Sequence, residues 1–278
     1  MFYSKQPLSK RYKLIYKIAI KYYRGRRYLL WYLSGKKFSS TYSNSRLPFK
    51  VKDHSSVLIR KLGESEMYLQ HNKIKNLSIA IKEINGILIL PGEVFSFCRL
   101  VGLPTKNKGY VEGMEISQGI PRPGVGGGIC QISNLIYWLA LHSDLEVIER
   151  SHHGFDPFPD NNRVLPFASG ATVFYNYIDL QIKNNTKMTF QINLEITKKC
   201  LEGDILASSE PLYTYSVFEK NHKFREENNN YFRSNEIWRT KMIRQTGKTV
   251  GEEFICKNNA RVKYVPAQFQ ANYSKVVN

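Results

Sequence analysis

The spacing of apolar residues changes period several times along the chain, and each change predicts an element. Between Lys73 and Gly86, residues Leu77, Ala80, Ile81 and Ile84 keep the spacing of one helix face, with Asn76 as N-cap and Asn85-Gly86 as stop. Ile87 to Leu90 is a continuous apolar run closed by Pro91-Gly92, which reads as a short strand and turn, and Val94, Phe95 and Phe97 resume an extended segment. Ile132, Leu135, Ile136 and Leu139 restore the helical period, so a second helix opens with Cys130 in its first turn. Leu145 to Ile148 predicts a strand, and Ser151 to Asp160, rich in Pro and ionisable groups, a loop. Beyond Gly170 the character turns β: Thr172 to Ile182 and Thr189 to Ile196 read as antiparallel strands about an Asn184-Asn-Thr turn, and Leu201-Glu-Gly-Asp204 as a hairpin turn. Further β-prone pieces lie at Leu212 to Phe218, Ile237 to Ile243 and Arg261 to Val265, while Asn221 to Asn230 reads as an exposed polar loop. The order predicts an α+β protein: a mixed core with a cysteine-bearing helix N-terminus and antiparallel strands in the C-terminal half.

Composition adds a core and removes several chemistries. A chain of 278 residues with 42% hydrophobic content can bury a sizeable interior. Cys98, Cys130, Cys200 and Cys256 are widely spaced, and the six histidines include no His-x3-His or HExxH pair, so neither a disulfide scaffold nor a metal centre is indicated and no cofactor is called for. Free thiols of this kind suit a reducing compartment.

Charge separates an arm from a body. Residues 1–62 hold ten Lys and six Arg against the single Asp53, which accounts for +15 of the chain's +18. Residues 1–62 are therefore read as a basic, amphipathic arm, 63–200 as the central domain, and 201–278 as a β-rich extension packed on it. Within the arm, residues 10–33 interleave cations with aromatic and aliphatic side chains, and Tyr12, Ile15, Ala19 and Tyr22 share one helical face. That face suits docking on the protein's own core or on an anionic membrane surface. No specific nucleic-acid partner is expected, since cationic patches bind phosphates unspecifically and no recognition motif occurs. Charges interrupt every apolar run near the start, so no secretory segment is read, and Tyr28 to Gly35 is far short of the roughly 20 residues of a spanning helix. The expectation is a cytoplasmic protein, peripheral at the inner face of the membrane.

The candidate chemistry lies in Gly124-Val-Gly-Gly-Gly-Ile-Cys-Gln-Ile132. A cysteine in the first turn of a helix meets unpaired N–H groups and the positive dipole end, which favour the thiolate. Glycines before it allow close approach of a substrate and can aim N–H groups at an oxyanion. The competing reading is a small buried hydrophobe. A phosphate loop is excluded because no Gly-Lys-Ser/Thr follows. A thiol nucleophile needs a base, for which His153 and His152 are the candidates, with Asp156 or Asp160 orienting the imidazole. His142, at the end of the cysteine helix, reads as a charge partner of the dipole.

The run Leu90-Pro-Gly-Glu-Val-Phe-Ser-Phe-Cys98, with Gly109-Tyr110, Gly126-Gly-Gly-Ile-Cys-Gln-Ile132, Glu149-Arg150, His153 and Ala171-Thr-Val173, closely resembles the VanW family over about residues 70 to 200. Val147-Ile-Glu-Arg and Phe155-Asp-Pro-Phe-Pro-Asp160 look like the short members associated with vancomycin-resistance clusters. The resemblance implies cysteine-dependent acyl transfer of the L,D-transpeptidase type on peptidoglycan stem peptides or their precursors, the activity of exported members. Carried over by motif, Cys130 is the nucleophile, His153 the base, and Gln131 a support for the oxyanion. Gly126, Gly127, Gly128, Tyr110, Arg150 and His152 become the substrate-binding set. Many members carry an Asp where this chain has Gly170, so the acid falls to Asp156 or Asp160. The alternative is a non-catalytic accessory protein that binds precursor, membrane or a resistance-pathway partner.

Overall fold

The computed structural model describes residues 13–59, 66–117, 119–160 and 164–269. Tyr12 and the ends of the arm and of the C-terminal extension fall outside the described residues.

The helices are α1 (Lys13–Leu33), α2 (Met67–Lys82), the short α3 (Phe97–Val101) and α4 (Cys130–Leu141). The α+β reading holds, with antiparallel pairing predominant. One sheet runs β1 (Lys37–Phe38), β5 (Glu93–Ser96), β10 (Gln181–Lys183), β8 (Glu146–Glu149). A second runs β2 (Thr41–Tyr42), β4 (Ile87–Ile89), β11 (Phe190–Ile196), β12 (Cys200–Ala207), β3 (Phe49–Val57). The hairpin β6 (Glu112–Ser117) and β7 (Ile120–Val125) stands apart. A fourth sheet joins β13 (Tyr213–Glu227), β14 (Asn230–Ile243), β15 (Thr249–Val262) and β9 (Phe155–Asp156).

α4 is the hub. Every residue from Leu135 to Leu141 is buried, as expected of a helix that is apolar all round, and it packs against β3, β12 and β8. Gly203 permits the contact with β12. It pairs with Leu194, and a Cβ there would stand 2.8 Å from Leu194 Cδ2 and 3.1 Å from Leu135 Cδ2. The Leu201 to Asp204 segment is therefore strand, not the expected hairpin turn, which falls earlier, where Thr197 N–H donates to Cys200 O at 2.9 Å.

Three other local expectations are corrected. α2 begins at Met67, not near Asn76, because Asn76 is fully buried mid-helix and used for tertiary bonds. Asn221 to Asn230 is not a loop: it belongs to the long ribbon β13–β14, turned by Asn228 and Asn229 with φ of 51° and 58°. Paired positive φ values match the twist of a two-residue hairpin, and Asn tolerates them better than most residues. Phe97 leaves the strand and opens α3, capped by Ser96 Oγ, which accepts from Arg99 N at 3.3 Å. Within the basic segment α1 docks on the body through Arg24 and Arg27, and β1, β2 and β3 are built into the two main sheets.

Candidate functional site

Cys130 opens α4, and its carbonyl accepts Ser133 Oγ at 3.0 Å, a bond within the first turn. Three contacts tie this turn to the Ala171-Thr-Val173 segment. Ser133 Oγ lies 2.7 Å from Ala171 O, Ala171 N donates to Asn134 Oδ1 at 2.8 Å, and Cys130 Sγ donates to Val173 O at 3.6 Å. Ser133 and Asn134 went unnoticed in the sequence, although their i+3 and i+4 spacing from Cys130 places them beside it on the helix. Asn134 also explains Gly170: a Cβ at 170 would stand 2.5 Å from Asn134 Oδ1, so this chain fills the place of the expected acid from the helix side.

The glycines are a packing device first. Gly127 crosses Gly113 so closely that a Cβ would fall 2.2 Å from Gly113 O, and Gly128 would collide with Lys73 Cγ at the same distance. Gly126 and Gly128 hold φ of 81° and 92°. Asn76 clamps the turn from α2. Its Nδ2 donates to Gly127 O at 2.9 Å and Val111 O at 3.0 Å, and its Oδ1 accepts from Val111 N at 2.9 Å. The N–H groups of Gly126 and Gly127 donate to Val111 O and Gly124 O, which removes both as oxyanion donors. Gly128 N–H has no acceptor among the described residues.

Several of the remaining predicted residues make their bonds to other groups. No hydrogen bond joins Cys130 to His153 or His152 among the described residues. His152 donates through Nδ1 to His153 O at 2.8 Å. Burial lowers the pKa of both rings, each helped by a neighbouring cation or ring, so both stay neutral near pH 7. Burial likewise raises the Cys130 thiol, only partly offset by the Val173 bond, and the nearby Glu115 charge adds to the rise. The resting site is a neutral thiol and a neutral imidazole, not an ion pair. The dipole argument is outweighed by desolvation, because a first-turn dipole effect is modest beside the burial of a charge.

The expected third group serves elsewhere. Asp156 accepts from Arg233 Nη1 at 3.2 Å and Tyr264 Oη at 3.1 Å, and Asp160 takes Arg233 at 2.6 and 2.9 Å, so both acids fasten the central loop to the C-terminal ribbon. Gln131 is turned toward β3, with Nε2 on Ser56 Oγ at 2.9 Å and Val57 O at 3.0 Å. Arg150 donates to Gly170 O at 2.9 Å, Asn258 Oδ1 at 3.0 Å, Cys256 Sγ at 3.5 Å and Ala168 O, and its guanidinium stacks 5.0 Å from the Tyr137 ring. Tyr110 is 2% exposed with its hydroxyl unpaired among the described residues and its pKa pushed up to about 12 by burial, so it belongs to the core rather than to a substrate surface. His142 is also interior, and with a pKa lowered to about 4 by burial it is a neutral ring, not the charged dipole partner expected. Among the described residues no group of three or more His, Cys, Asp or Glu could hold a metal ion.

The chain around this helix start is similar to known proteins. The family described as VanW like protein matches residues 72–206, the span from α2 through β12 that encloses Cys130. The chain is 30% identical to the vancomycin B-type resistance protein VanW of Enterococcus faecalis (strain ATCC 700802 / V583), over 87% of its own length and 86% of that protein. It is 33% identical to the protein YoaR of Bacillus subtilis (strain 168), over 45% of this chain and 41% of that one. No solved structure matches. With the family match over residues 72–206 and near full-length similarity in hand, the chain belongs to the VanW family.

Proposed function

We propose that this protein acts in vancomycin resistance, as the name of its Enterococcus faecalis relative says of that protein, by acyl transfer through Cys130 on a cell-wall stem peptide or its precursor. The observation that carries the reading is the construction around one thiol: a half-buried cysteine on the first turn of α4, stitched to Ala171–Val173, beside a glycine turn whose Gly128 N–H is uncommitted. A substrate carbonyl entering there displaces Val173 from the sulfur. Neutral His153 takes the thiol proton as sulfur bonds to the carbonyl carbon, Gly128 N–H steadies the oxyanion, and collapse expels the leaving amine with the proton from His153. An acceptor amine then reverses the steps, losing its proton to His153 and releasing the Cys130 thiol. The base must swing toward the sulfur when substrate binds, since catalytic contacts are often loose before then.

Incubation with a synthetic stem pentapeptide, followed by intact-mass analysis, tests this directly. A thioester adduct is expected on the native chain and none on Cys130→Ala. Resistance sustained by Cys130→Ala at undiminished protein level removes the catalytic reading.

A second reading has its own observation. The burial that protonates Cys130 and the sulfur's bond to Val173 O also suit a site that only binds precursor. That reading expects stem-peptide affinity to survive in Cys130→Ala, with no adduct on either chain.

A further inference from the structure

α1 is seated on the protein the wrong way round for a helix of a water-soluble body. Its docked face is cationic and aromatic. Arg27 grips Glu149 with two bonds of 2.5 and 2.6 Å and donates to Asn176 O and Tyr177 O at 3.1 Å, Arg24 donates to Tyr175 O at 3.2 Å, and Trp31 is buried. Its solvent face is apolar. Leu14, Ile18, Tyr22, Leu29 and Leu33 recur at helical spacing, and they are 70%, 58%, 66%, 57% and 67% exposed. Lys17 and Lys21 lie along one flank of that stripe and Arg26 along the other, all exposed, and the helix holds no acidic residue.

Five large apolar side chains held outward over a 21-residue helix form a contiguous patch of the kind that marks an interaction surface. The flanking charge says what covers it. Two copies of this chain meeting face to face would bring Lys17, Lys21 and Arg26 of each against the same cations of the other. An anionic lipid surface offers hydrocarbon to the stripe and phosphate to both flanks at once. At the C-terminal end of the helix, a cleft of about 340 Å³ is lined by Tyr28, Trp31, Tyr32, Lys36, Phe38 and Arg99, the mixture of rings and cations that suits headgroup depth. No described helix is long and apolar enough to cross a bilayer, so α1 would lie in its plane.

We propose that α1 lies flat on an anionic bilayer, with Leu14, Ile18, Tyr22, Leu29 and Leu33 among the upper acyl chains and Lys17, Lys21 and Arg26 at phosphate level. The inference is independent of the chemistry at Cys130. It does bear on where that site works: Arg24 and Arg27 bond the segment that follows Val173, which ties α1 to the wall of the site.

Flotation of the full chain with vesicles of phosphatidylcholine, alone or mixed with phosphatidylglycerol, tests the proposal. The native chain is expected to float with the anionic vesicles and to be released as salt rises. The Ile18→Glu, Leu29→Glu pair is expected to weaken binding at least about tenfold through lost apolar burial. Neutralising Lys17, Lys21 and Arg26 as Gln costs about fivefold per cation and abolishes the preference for phosphatidylglycerol. Because these side chains are exposed, each variant should keep the native melting temperature. Native protein that stays behind at low salt, or an Ile18→Glu, Leu29→Glu chain that floats as well as native, overturns the proposal. So does a dimer in sedimentation that this pair dissolves, which would assign the stripe to a second copy.

Discussion

Cys130 shows how burial can reverse a local electrostatic expectation. Its first-turn position favours thiolate, yet desolvation raises its pKa and its S–H donates to Val173 O. Alkylation by iodoacetamide is therefore expected to be slower at pH 7.5 than for free cysteine and to keep rising with pH beyond the ordinary thiol range. A rate above that of free cysteine, read by peptide mass spectrometry, would show that the thiol is activated at rest. Asn76 is the other decisive residue. Asn76→Ala leaves Gly127 O and Val111 N without a partner and Val111 O with Gly126 N–H alone, and is expected to cost about 3 kcal/mol, measured by urea denaturation. The sequence marked the glycine turn and the cysteine by composition alone. It could not show Asn76, Ser133 and Asn134 as partners, because their roles are set by backbone groups 35 to 51 residues away for Asn76 and 37 to 38 away for the other two.

Elements were legible where a single period dominates. α4, β4, β8 and β11 follow their apolar spacing, because each buries one continuous surface. The β13–β14 ribbon was legible only in part, as β-prone pieces at Leu212 to Phe218 and Ile237 to Ile243; its polar middle was not, since ladder bonds between two long strands hold a stretch without an apolar period. Its turn offers a check: Asn229→Val should cost about 1–2 kcal/mol from the positive φ alone, seen as a lower melting temperature. The end of α4 carries a pH prediction. His142 Nδ1 donates to Trp138 O at 2.8 Å while Lys52, His54 and Arg239 surround the ring with positive charge, and burial does most to hold its pKa near 4. The unfolded chain binds this proton near pH 6.5 and the folded chain only near 4, so its stabilising effect is whole above pH 6.5 and is lost as pH falls between the two. About 3 kcal/mol disappears over that window. His142→Gln should flatten the dependence in denaturation curves compared at pH 7.5 and pH 4.5.

Across the whole molecule, the basic segment divides into a docked helix and three strands of the core. Arg27 fastens the helix to β8 and to the segment that follows Val173, and Arg27→Ala leaves Glu149 without its bidentate partner and frees the carbonyls of Asn176 and Tyr177. Amide hydrogen exchange is expected to accelerate throughout α1 in this variant while α4 stays protected. Equal loss of protection in both helices would mean that α1 is part of the cooperative core. By itself the sequence determined the α+β class, the buried cysteine helix, the concentration of positive charge in one segment and the family, because periodicity, composition and motif order are properties of neighbours along the chain. Only the tertiary structure decided that the glycines are spent on close packing, that Asp156, Asp160, Gln131 and Arg150 tie elements together, and that α1 turns Arg24 and Arg27 inward and its leucines out. Those are contests between groups far apart in sequence, and desolvation and geometry settle them only when the chain is folded.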